Sequence, residues 1–232
     1  MKFSALAILS LFASTAQASS SSSSPKKSKK SSKGTVVRLK VVNLTYRQPL
    51  SPPVWVTHSC DEPNPLFTYG MEASEELAQV AETGSGMLLM EKFSKYYGCP
   101  VGSSVNGGLI MGGQMDYIDV EFNGKDCDCF SMASMLVNTN DAFVAINGMS
   151  RDALRNGEMS DYYYLPALDA GSEQNDESCD NIPGPACGGM GSNATGAEGF
   201  VHVHRGITGD GDLDPAVYSW LNPSVAVSTT YY

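Results

Sequence analysis

Two short acidic segments carry the residues of this chain that could do chemistry. Asn140-Asp141 stands at the mouth of an apolar run, and Asp169-Ala170-Gly171-Ser172-Glu173 follows Tyr162-Tyr163-Tyr164-Leu165-Pro166. Carboxylates at loop ends beside small residues suit a hard cation such as Ca²⁺, which asks for oxygen ligands and little steric bulk. Asp169 and Glu173 stand four apart around Ala170-Gly171, so a turn can aim both at one point. If the two segments meet in space, Asp141, Asp169 and Glu173 form a metal site. The chain is then a metal-braced binding module rather than an enzyme.

Other chemistry has less behind it. His58, His202 and His204 are all the histidines. His202 and His204 share one face of a strand, a spacing that can chelate Zn²⁺ or Cu²⁺. A site made by all three would make the chain a secreted metalloenzyme or redox protein; packed or hydrogen-bonded strand histidines are the simpler expectation. Asp210-Gly211-Asp212-Leu213-Asp214 is not an EF-hand, because Pro215 and Leu221 occupy the sixth and twelfth places where Gly and Glu are needed. The chain has neither a Gly-x-Ser-x-Gly elbow nor a His-Glu-x-x-His helix. Gly107-Gly108 and Gly112-Gly113 read as turn glycines, and Met132 and Met135 as core.

The N-terminus reads as a secretory signal: Lys2, an apolar Ala5 to Phe12, and Ala16-Gln17-Ala18 before the cut, over residues 1–18. That apolar run is far short of the roughly 20 residues of a membrane span. Residues 19–33 form a Ser/Lys-rich linker that cannot bury a core. It serves as a solvated spacer or as a basic tether to polyanions, the latter being the mark of a structural or mineral-associated matrix protein. The net charge is −10, from 15 basic and 25 acidic residues. Six of the lysines precede Gly34, so residues 34–232 carry nine basic against 25 acidic residues, a net −16. Such a body repels nucleic acid and favours cations. Cys60, Cys99, Cys127, Cys129, Cys179 and Cys187 form an even set, as in disulfide-bonded exported proteins. Asn43-Leu44-Thr45 and Asn193-Ala194-Thr195 are glycosylation sequons that fit the same compartment.

The elements that must position these groups are mostly strands. Val36 to Leu44 alternates, with Val37, Leu39 and Val41 on one side and Arg38 and Lys40 on the other. Val54 to His58, Ile118 to Phe122, Cys129 to Val137, Ala142 to Ile146, Gly199 to His204 and Ser224 to Tyr231 are further strand candidates. Ser74 with Glu75 and Glu76 opens one short helix, and Met87 to Tyr97 forms a second before Gly98-Cys99-Pro100. This pattern predicts an all-β fold, an antiparallel β-sandwich with one or two short helices, over residues 34–232. Cys179 and Cys187 staple one polar loop. Cys127 and Cys129, two apart on a strand, each reach elsewhere.

Several segments together resemble one family. They are Val41 to Thr45 with Gln48 to Val54, Ala73 to Leu77 with Ala81-Glu82, Ser134 to Phe143, Tyr164 to Glu173, Val203 to Ile207, Gly211 to Pro215, and Asn222-Pro223. In this order, over about Thr35 to Val227, the chain resembles the N-terminal domain of spondins (F-spondin and mindin) and its microbial relatives. The resemblance implies a C2-like sandwich of about eight strands holding one Ca²⁺ near its end. The family's ligands are an Asp opening one strand and two acidic residues of an Asp-Ala-Gly-x-Asp stretch. At matching positions these are Asp141, Asp169 and Glu173, where Glu173 stands for the vertebrate Asp. It further implies matrix or cell-surface proteins or glycans as partners; the chain is expected to be a non-catalytic monomer. The thrombospondin-type repeats of vertebrate spondins do not occur here.

Overall fold

The computed structural model describes residues 34–62, 65–124, 126–155 and 162–230. The expected signal, residues 1–18, and the linker, residues 19–33, lie outside the described residues. Among the described residues ten strands form two antiparallel sheets: β1 (Thr35–Asn43), β2 (Val54–His58), β3 (Val101–Ser103), β4 (Met115–Phe122), β5 (Cys129–Met135), β6 (Ala142–Ser150), β7 (Tyr163–Leu165), β8 (Leu168–Asp169), β9 (His202–Val203) and β10 (Val225–Thr230). One sheet has the order β4-β1-β10-β7, the other β3-β2-β5-β6-β8-β9. The all-β sandwich expected from the strand pattern is therefore present. Its strands number ten rather than about eight because β3, β7, β8 and β9 are only two or three residues long.

Alternation in β1 puts Leu39 and Val41 inside, where they join Ile118, Val120, Val225 and Val227 against Trp55, Phe130, Met132, Val144 and Ile146 of the other sheet. Strand β5 is buried at every position. The cause is a second layer: α1 (Glu75–Thr83) and α2 (Met87–Lys92) cover the outer face of the six-stranded sheet, packing Leu77, Val80 and Leu89 on Val54, Val56, Ala133 and Phe143. A sheet apolar on both faces loses its period of two. Ser74 caps α1 by accepting from Leu77 N, and Gly84 ends it in the left-handed region at φ 70°. The second helix predicted to Tyr97 is α-helical only to Lys92, then continues as a π turn over Phe93–Tyr97. Two further short helices follow, α3 (Arg151–Arg155) and α4 (Pro215–Tyr218).

All six cysteines are paired, as Cys60–Cys129, Cys99–Cys127 and Cys179–Cys187. Cys127 and Cys129 thus reach separate partners, and the third pair closes the polar loop over a small cluster of Ile182, Ile207 and Leu213.

The sequon at Asn43 needs a correction. Asn43 is wholly buried; its Nδ2 donates to Gln48 O (2.7 Å) and Ile110 O (2.8 Å), and its Oδ1 accepts from Thr45 N and Oγ1. Both amide hydrogens are used and no space remains for a sugar, so this Asn-x-Thr pattern ties the end of β1 to its neighbours. Asn193 is part-buried, and its Nδ2 donates to Gln174 Oε1 and Asp176 Oδ2.

Candidate metal centre

Strand pairing brings the acidic segments together. Asp141 immediately precedes β6, where Ala142 pairs with Asp169, and Asp169 pairs in turn with His202 of β9. Cross-strand partners project from the same face, so Asp169 and His202 leave the sheet side by side. The turn after Asp169 is held by carboxylates: Asp169 Oδ1 accepts from Gly171 N (2.8 Å), and Asp141 Oδ2 accepts from Ser172 N (2.8 Å) and Glu173 N (3.0 Å). Gly171 sits at φ 65°, accepts from Gly199 N, and approaches so closely that a Cβ would lie 2.4 Å from Phe200 O. Only glycine meets both demands.

One set of polar atoms is left over. Asp141 is wholly buried, and its Oδ1 has no hydrogen-bond partner; His202 Nε2 is also buried and without one. That nitrogen lies 3.7 Å from Asp169 Oδ1. Asp169, Glu198 and His202 each offer a ligand atom, and these atoms all lie within 4.8 Å of one another. Asn175 bridges the group, donating from Nδ2 to Asp169 Oδ2 (2.7 Å) and to Glu198 Oε1 (3.1 Å). Glu198 is exposed, so the cluster opens to solvent.

The electrostatics are those of buried, mutually repelling acids. Burial first, and the neighbouring Asp169 carboxylate second, push the Asp141 carboxyl up to about 7. Burial likewise raises Asp169. Glu198 adds to both shifts. A divalent ion bound here would offset this repulsion.

Neither Asp141 nor Glu173 is among the three residues whose ligand atoms cluster. The Glu173 N–H turns toward Asp141, but the Glu173 side chain bonds Ser192 in a buried setting that raises it to about 7, near Glu82 and Asp176. Sequence reasoning placed Asp141 and Asp169 together and missed Glu198, His202 as their partner, and Asn175. The three-histidine arrangement is also corrected. His58 is on β2, four strands from β9, or ~19 Å at ~4.8 Å per strand, and both its nitrogens are engaged, by Ser131 Oγ and Ser59 O. His204 accepts at Nδ1 from Gly206 N, leaving Nε2 to donate to Asn175 Oδ1 (3.0 Å). Burial lowers it to about 3, so it is neutral. Its place is behind Asn175, as the support of that bridge.

The Asp210 loop uses its acids structurally. Asp210 accepts from Thr208 Oγ1, Asp212 from Cys179 N, and Asp214 caps α4 through Ala216 N. Buried Glu177 holds the same loop by accepting from Thr208, Gly209 and Asp210 N. No family model matches the chain, and no curated protein matches it in sequence.

Proposed function

We propose that this chain is a secreted, non-catalytic interaction module whose loops at one end of the β-sandwich are braced by a Ca²⁺ ion. The observation that carries the reading is the buried Asp141–Asp169 pair, with Asp141 Oδ1 unpartnered and the acids repelling one another. Oxygen-rich loop ends of this kind are what Ca²⁺ uses. A brace at this point would tie the entry to β6, the turn after β8 and the approach to β9. Three disulfides support an oxidising, extracellular setting. Among the described residues no helix is long and apolar enough to cross a membrane. The spondin-like order of segments supports matrix or cell-surface proteins or glycans as partners of a monomer.

Elemental analysis after dialysis against Ca²⁺ tests the reading. It expects about one Ca²⁺ per chain, lost in Asp169→Asn. A metal-free wild-type protein would contradict it.

A further inference from the structure

The composition of the cluster goes beyond a calcium brace. A shell for Ca²⁺ alone is built of oxygens, yet here an imidazole nitrogen faces the same point as two carboxylates. His202 Nε2 is buried, makes no hydrogen bond, and lies 3.7 Å from Asp169 Oδ1. Its other ring nitrogen is placed by Val203 O at 3.0 Å, and its ring packs on Phe200 with centroids 5.1 Å apart. The ring is therefore held with Nε2 turned to the acids. Neutral imidazole with carboxylates is a donor set for first-row ions, whose affinity rises along the series toward Cu²⁺ and Zn²⁺.

The groups that hold these ligands agree with that donor set. Asn175 orients both Asp169 and Glu198 and is itself held by His204. Groups that fix ligand orientation in this way commonly support transition-metal sites. Asp141, wholly buried with Oδ1 unpartnered, lies outside this three-residue group. Glu173 is engaged elsewhere, with Ser192.

We infer that Asp169, Glu198 and His202 form a mixed nitrogen–oxygen site that takes Zn²⁺ in competition with Ca²⁺, with Glu173 outside the shell. This rests on the metal-braced reading and names the ion class that the same loops select. The chemistry is binding alone: Zn²⁺ displaces Ca²⁺ and no bond is made or broken in the protein.

Isothermal titration of the full chain with ZnCl₂ and, separately, CaCl₂ tests it, with a competition run in which Zn²⁺ is added to the Ca²⁺-loaded protein. The expected result is Zn²⁺ binding tighter than Ca²⁺. His202→Gln should weaken Zn²⁺ by at least the roughly tenfold that loss of even an outer partner costs, while Ca²⁺ affinity changes little. Glu198→Gln, at an exposed position that leaves folding alone, should weaken both ions; Glu173→Gln should weaken neither. Unchanged Zn²⁺ affinity in His202→Gln, or a loss in Glu173→Gln as large as in Asp169→Asn, would overturn the inference while leaving the calcium reading intact. If no ion binds the wild-type chain, the metal-braced reading fails with it.

Discussion

The two oxygens of Asp141 have different roles. Oδ2 accepts from Ser172 and Glu173 and shapes the turn, while Oδ1 is buried with nothing to accept from. In the metal-free protein, raised carboxyl pKa values favour the protonated forms in the fold. Asp141 and Glu173 are both raised to about 7, from ordinary values near 4. Their contribution to stability is full below the unfolded pKa and is lost as pH rises through about 7. Melting curves in EDTA should therefore fall between pH 5 and pH 8, and saturating Ca²⁺ should flatten or reverse that slope. Asp141→Asn makes a two-signed prediction: in EDTA at pH 8 it should raise stability, on the order of 2 kcal/mol, and in Ca²⁺ it should lower the melting temperature. Destabilisation under both conditions would mean that the carboxylate serves the turn alone. Asp141 and Asp169 were legible in the sequence because each is a loop-end acid beside small residues. Glu198 and His202 were not, since Asp169 meets His202 through a pairing that spans more than thirty residues and leaves no spacing pattern. Glu173 gives its N–H to Asp141 while its side chain bonds Ser192.

At the scale of elements, the turn that follows β8 depends on Gly171. Its positive φ and its approach to Phe200 O leave no room for a side chain. Gly171→Ala should cost more than about 1 kcal/mol, read as a lower denaturation midpoint, and should weaken metal binding with it, because Asp169 and the 198–202 segment lose their spacing. A variant with wild-type stability and metal affinity would show that the turn does not set the site. Strand β1 was readable from alternation and α1 from Ser74 with its two following acids. Strand β5 was readable as a strand but not as one covered on both faces, because its period disappears when α1 and α2 bury its outer side. Strands β3, β7 and β8 are too short to carry any period, and sequence reading missed them.

The described residues form a sandwich closed by covalent and electrostatic links of unequal weight. Cys60–Cys129 joins residues 69 apart and ties the region after β2 to the start of β5. Replacing both with Ser should cost on the order of 2–4 kcal/mol, measured by urea unfolding; no change would mean that sheet pairing alone holds these strands. The half-buried surface pair Arg38–Asp119, which lowers the Asp119 carboxyl, matters far less. The acidic body should draw cations from solution, and the most direct consequence is thermal. Differential scanning calorimetry in 1 mM-range Ca²⁺ and again in EDTA, on wild type and Asp169→Asn, measures the brace itself. A metal-braced sandwich predicts a higher melting temperature in Ca²⁺ for the wild type and nearly coincident curves for the variant. Superimposable wild-type curves with and without EDTA would contradict it.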